Sequence, residues 1–269
     1  MLAPHLNTAL PGTIGLGPVR LPVFALFATA GLMAALTLSQ RTARRLGLDA
    51  DRLWDAGIFA VAAAFVASRA LLIAQNWKVF RMAPMLVLAL PSLTGSGILL
   101  TALATLLYLR AKRLPLRRSF DAWAPSMALL TVFLQVGHFF EGTEAGMPTA
   151  KPWGILTPGD TVLGRTQPVQ LFAATLALLL TLWLYRGAAH TSLRAGALAA
   201  RAFLFGGLAS FLLDMLRQPV AQDASLPLDP SQIAALAAIA AGSLLWLLPG
   251  NAPRTLSAAS YQETTHSHA

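Results

Sequence analysis

The chain reads as an all-α integral membrane protein with seven transmembrane helices, its N-terminus outside and its C-terminus cytoplasmic. Three observations lead there. First, 56% of the 269 residues are hydrophobic, only 12% are charged, and mean hydropathy is +0.61; a soluble domain carries roughly 25% charge. Second, seven apolar runs cover approximately residues 21–40, 55–76, 84–109, 122–141, 169–185, 198–216 and 231–249, close to the ~20 residues that cross a bilayer as a helix. Third, the basic residues are unevenly shared between alternate loops. Arg41, Arg44, Arg45 and Arg52 follow run 1, and Arg110, Lys112, Arg113, Arg117 and Arg118 follow run 3. Arg186, Arg194 and Arg201 follow run 5, and Arg254 is in the tail. The opposite side holds Arg20, Lys78, Arg81, Lys151, Arg165 and Arg217. Basic loops stay in the cytoplasm, so the N-terminus and the loop 142–168 are expected outside.

Taken in order, the first run is not preceded by a basic start and apolar core, so a cleavable leader is not expected. The second run holds Arg69 in its outer half. The third contains Thr94-Gly95-Ser96-Gly97 after Pro91, small residues that permit close approach of another helix or of a lipid headgroup. Asp121-Ala122-Trp123-Ala124-Pro125 leads into the fourth. Gln167-Pro168-Val169-Gln170 opens the fifth, where Pro168 suits a first helical turn. Asp214 and Arg217 close the sixth, either as a surface pair or with Arg217 turned inward toward an anionic headgroup. Residues 1–250 form one membrane domain without an internal repeat. The polar tail 251–269 is expected to be disordered, and its His266 and His268 are too weakly held to define a metal site. The net charge of +9 is topological, since no basic stripe with interleaved aromatics suggests nucleic acid. With no cysteine there is no disulfide and no thiolate nucleophile.

Chemistry concentrates between Gln135 and Ile155, where an apolar run acquires His138, Glu141 and Glu144. Ionisable groups at membrane depth are costly and usually mark a site. His138 and Glu141 are three residues apart and share a helix face, as a general base with its carboxylate or as a structural hydrogen bond. Glu144, past Gly142, reads as a solvated loop carboxylate. Arg69 reads either as a structural arginine paired with Glu141 or Glu144, or as a bidentate phosphate clamp.

Four landmarks give the chain a resemblance to the prolipoprotein diacylglyceryl transferase family over roughly Gly15 to Gly250. Asp121 to Pro125 resembles the family's D-x-x-A-P. Gly137 to Gly154 resembles its G-x-F-x-x-G-x-x-x-G stretch with the following P-T-x-x-P-W-G, and supplies the signature glycines Gly137, Gly142 and Gly146. Pro168 to Phe172 resembles its H-P-S-Q-L-Y, and Asp214 to Pro219 its E-F-F-R-x-P. Arg69 stands where the family has a G-A-R triplet. The chain departs from the family elsewhere. Gly95-Ser96-Gly97 stands near a family H-G-G, Gln135 and Ser210 replace arginines, and Thr143 replaces a glutamate. His138 and Glu141 stand where the family has asparagines. Phe24 replaces a tyrosine, and Gln167 and Phe172 replace the histidine and tyrosine of the span 5 motif.

The resemblance implies a bacterial inner (plasma) membrane enzyme that moves diacylglyceryl from phosphatidylglycerol to the lipobox cysteine of a preprolipoprotein, with glycerol phosphate leaving. On that basis His138 and Glu141 are the expected catalytic pair. Arg69, Gln135, Gln170 and Arg217 are the expected lipid and phosphate ligands, converging on one cavity. No cofactor or metal is expected, and a monomer is the simplest state. The alternative is a catalytically silent relative that binds lipid or a partner protein in envelope assembly.

Overall fold

The computed structural model describes residues 13–16, 19–82, 85, 95–156, 164–189, 193–218 and 228–248. Most of the amino-terminal part of the third expected span, with Thr94, lies outside the described residues, as does the 251–269 tail with His266 and His268. A hairpin of β1 (Thr13–Leu16) and β2 (Val19–Pro22) leads into α1 (Val23–Arg45). Then follow α2 (Ala50–Gln75), the short α3 (Trp77–Met82), α4 (Gly95–Ala111) and α5 (Leu116–Glu141). A second hairpin pairs β3 (Ile155–Leu156) with β4 (Arg165–Thr166), and α6 (Val169–Gly187), α7 (Ala197–Asp214) and α8 (Pro230–Leu247) complete the bundle. The fold is therefore helical with two small hairpins that the hydropathy pattern did not anticipate.

Among the described residues six helices, α1, α2, α5, α6, α7 and α8, are long and apolar enough to cross a membrane. α4 has 17 residues and falls short of that length on its own. Several helices outrun their apolar segments: α1 continues to Arg45, α2 begins at Ala50, and α5 begins at Leu116. Hydropathy detects only the lipid-matched part of a helix, whereas caps decide where it stops. Asp49 caps α2 by accepting from the Asp51 and Arg52 N–H groups at 3.1 Å. Asp229 and Gln232 form a capping box at the start of α8, with Pro230 in its first turn.

Helix α5 is the hub and packs on α1, α6 and α7, while α2 packs chiefly on α1 and α4. The two closest helix pairs are made by small residues. A Cβ on Gly31 of α1 would meet Phe133 of α5, and one on Gly137 of α5 would meet Phe24 and Phe27 of α1. Gly207 of α7 lies against Ala235 and Ile239, and Gly242 of α8 against Ala200 and Leu204. Lipid offers no hydrophobic drive for helices to associate, so such close approach supplies the dispersion contact that holds them. Phe65, Val66 and Leu99 are 60%, 63% and 73% exposed on the bare bundle, as a lipid-facing surface requires. Four threonine hydroxyls are satisfied within their own helices: Thr42, Thr101, Thr175 and Thr181 each donate to the carbonyl four residues earlier.

The seven long helices alternate in direction. Arg45 at the end of α1 donates to the Tyr185 carbonyl near the end of α6. Asp121 near the start of α5 accepts from Gly196 and Ala199 at the start of α7. Phe59 of α2 stacks on Tyr108 of α4. These contacts define one end of the bundle, rich in arginine. The opposite end carries both hairpins, the end of α5 and the end of α7.

Candidate functional site

Gly142 ends α5 in the left-handed conformation, with φ of 74° and its N–H bonded to the Phe139 carbonyl. Two residues later Glu144 is also left-handed, at φ 56°. A side chain there strains the backbone, and such strain persists only where surrounding contacts hold it. Two successive turns send the chain back across the end of the bundle. Gly146 then pairs with Arg217 as an isolated β-bridge, and the Met147 N–H donates to the Leu216 carbonyl at 2.9 Å. A Cβ on Gly146 would lie 2.3 Å from the Gln167 carbonyl oxygen, so only glycine fits that crossing. The three signature glycines thus have three structural tasks. Gly137 admits α1, Gly142 caps α5, and Gly146 lets three backbone segments meet.

The fold-back brings distant side chains together. His138 Nδ1 lies 2.8 Å from Thr143 Oγ1, and His138 Nε2 lies 3.8 Å from Glu144 Oε1. Arg217 Nη2 lies 3.0 Å from Glu144 Oε2, and Arg217 Nη1 lies 3.9 Å from Asp214. Gln170 donates to the Thr143 carbonyl at 2.7 Å, and Ser231 donates to Asp214 at 3.0 Å. His138 and Arg217 keep 24% of their side-chain surface open, and Glu144 keeps 35%. The Phe24 ring lies on the His138 ring, with centroids 4.5 Å apart.

This geometry corrects the expected pairing of His138 with Glu141. The nearest carboxylate to the imidazole is Glu144, because the turn at Gly142 folds the following residues back over the ring. Glu141 reaches the histidine only through the Thr143 hydroxyl, 3.5 Å from its Oε2. Glu144 is not a solvated loop residue; it bridges His138 and Arg217. The reading of Asp214 and Arg217 as a mere surface pair also gives way, because Arg217 turns to Glu144 and Asp214 is 9% exposed.

Not every expected ligand joins this cluster. Gln170 does, through the Thr143 carbonyl. Gln135 sits one turn below His138 on α5, and its buried Oε1 has no hydrogen-bond partner among the described residues. Arg69 lies on α2, which packs on α1 and α4, with its guanidinium 5.5 Å from the ring of Phe65 on its own helix. Thr143 was missed as the centre of the network, since its spacing carries no signal until the turn is known. Among the described residues no group of three or more potential ligands converges on a metal position.

The chemistry available is that of a positioned imidazole. A carboxylate only accepts, so when the Thr143 hydroxyl donates to Glu141, His138 Nδ1 must carry the proton and donate to Thr143. That leaves the Nε2 lone pair free to take a proton, with Glu144 beside it at 3.8 Å to stabilise the imidazolium once Nε2 is protonated. Arg217 adds a fork of donors matched to a carboxylate or a phosphate.

Fold and cluster together define a multi-span membrane protein with a half-open imidazole, carboxylate and guanidinium site at one end of its central helix. The chain belongs to the prolipoprotein diacylglyceryl transferase family, whose model matches residues 11–248. It is similar to the phosphatidylglycerol–prolipoprotein diacylglyceryl transferase of Synechococcus elongatus, 27% identical over 92% of this chain and 90% of that protein. It is likewise similar to the protein of that name from Thermosynechococcus vestitus, 28% identical over 87% of this chain and 90% of the relative. A shorter match to the Protochlamydia amoebophila protein of the same name is 38% identical over 36% of this chain and 27% of that one.

Proposed function

We propose that this chain transfers a diacylglyceryl group from phosphatidylglycerol to the cysteine thiol of a prolipoprotein, at the outer face of a bacterial inner membrane. In this reading α4 and the residues before it make a seventh span, and the arginine-rich end faces the cytoplasm. The alternation of seven long helices supports that topology. The observation that carries the activity is that Glu144 lies within 4 Å of both His138 and Arg217 at a half-open end, in a chain of this family.

In the proposed reaction His138 Nε2 takes the thiol proton. A thiol of pKa near 8.5 needs only modest help to ionise. The thiolate sulfur attacks the glyceryl carbon bonded to the phosphate, forming the thioether. The carbon–oxygen bond breaks and its electron pair leaves with glycerol phosphate. Arg217 holds the phosphate as charge develops, and Glu144 stabilises the imidazolium. Thr143, oriented by Gln170, fixes the histidine tautomer. Glu141 acts through Thr143, and Arg69 and Gln135 face the lipid rather than the reacting atoms. The chain acts as a monomer without a cofactor.

One observation favours the second reading, a lipid- or partner-binding relative without transfer. Arg217 already faces two carboxylates, Glu144 and Asp214, so with neutral His138 the cluster is net negative where a phosphate must sit. Complementation separates the two readings. In cells depleted of their own transferase, rescue with lipidated prolipoprotein supports the enzyme; correct insertion without rescue supports the binding-only relative.

A further inference from the structure

The arginine-rich end, opposite the His138 cluster, carries a cavity of about 330 Å³ lined by Trp183 of α6, Arg201, Leu204 and Phe205 of α7, and Trp246 of α8. Its walls are aromatic and aliphatic: Trp183 and Phe205 meet edge to face with centroids 5.1 Å apart, and Trp183, Phe205 and Trp246 are 45%, 51% and 45% exposed. Its rim is cationic. The Arg201 guanidinium lies 5.4 Å from the Trp183 ring centre and that of Arg194 lies 5.2 Å from Trp246. Arg194 also donates to the Trp246 carbonyl, which fixes the loop before α7 to the end of α8. Among the described residues neither arginine pairs with a carboxylate.

A slot with apolar walls and a rim of two uncompensated guanidiniums, on the outside of a membrane bundle, fits a ligand with an acyl chain and a phosphate. Tryptophans at both walls set its depth at the interface, where amphipathic rings concentrate. The volume lies at the low end for ligand sites and suits a headgroup with the first part of one chain. A contrasting cavity at the same end, lined by Arg52, Asp55, Tyr108 and Lys112, places a carboxylate beside its cations. We infer that the Trp183–Trp246 slot is a binding site for an anionic phospholipid of the leaflet at the arginine-rich end, separate from the site at His138. The inference does not depend on whether the chain is a transferase.

The test is tryptophan quenching in bilayers. The full-length protein is reconstituted with brominated phosphatidylglycerol or brominated phosphatidylcholine at matched mole fractions. The component due to the slot is the difference from the Trp183→Phe, Trp246→Phe variant. Each arginine near an anionic surface favours binding about five-fold, so the slot component should be half-quenched at a several-fold lower fraction of the anionic lipid. Arg194→Gln with Arg201→Gln should remove that preference and leave the other tryptophans unchanged. Equal quenching by the two lipids in the unaltered protein would overturn the site, and so would a preference that survives the double substitution. Total tryptophan quenching of the unaltered protein, compared between the two lipids, needs no variant and should show the same preference in smaller amplitude, so its absence would overturn the site even where a substitution folds poorly.

Discussion

Each end of this bundle uses a carboxylate to join distant parts of the chain, and the two are built for opposite purposes. At the arginine-rich end Asp121 is 2% exposed and accepts from the Gly196 and Ala199 N–H groups at 2.7 and 2.9 Å. Those are orphan donors of the first turn of α7, where a negative charge also suits the helix dipole. Every strong contact of Asp121 is to backbone, and little remains for a ligand. At the other end Glu144 is half exposed, sits in a strained backbone conformation, and divides its oxygens between an imidazole and a guanidinium. One carboxylate closes a structure; the other is held where something else can compete for its partners.

Substitutions at the two ends should therefore separate activity from stability. The largest effect is expected from His138→Ala. Removing the base should lower turnover by roughly 100- to 10,000-fold with little change in thermal unfolding of the purified protein. Asp121→Ala should do the reverse. It strands two buried N–H groups and removes charge-assisted bonds, a loss of about 3 kcal/mol, read as a lower unfolding midpoint with unchanged turnover per folded molecule. Gly146→Ala should affect both. The added methyl collides with the Gln167 carbonyl, costs about 1–3 kcal/mol, and displaces the strand that holds Arg217, so turnover and midpoint fall together. The smallest effect on stability belongs to Glu144→Gln, under about 1 kcal/mol for a half-exposed pair. It should nonetheless lower KM for phosphatidylglycerol, because Arg217 is released from its carboxylate. An unchanged KM would mean that Arg217 does not meet the phosphate.

The same contrast explains what was legible in the sequence. Six spans and the asymmetry of the arginines follow from local hydropathy and charge, which neighbouring residues carry. The importance of Asp121 and of Gly137 to Gly146 is visible as motif, but their tasks are not. Asp121 serves a helix end that starts beyond residue 190, and Gly146 meets Gln167 and Arg217. The choice of Glu144 over Glu141 turns on two consecutive left-handed turns, at Gly142 and Glu144. His138 and Glu141 both lie within α5, so their i,i+3 spacing is real, but it says nothing of the carboxylate that the fold-back brings closer. Arg69 shows the converse limit. Its depth in α2 singled it out, but helix order sets its neighbours, and α2 lies on the far side of α1 from α5 in the packing sequence.

The central claim is that His138, served by Thr143 and Glu144, activates a thiol beside phosphatidylglycerol. The most direct measurement is mass spectrometry of a lipobox peptide incubated with the purified chain and phosphatidylglycerol. The account predicts a diacylglyceryl mass gain on the cysteine, lost with His138→Ala and retained in part with Glu141→Ala. A peptide left unmodified by protein that is folded and still binds phosphatidylglycerol would contradict it.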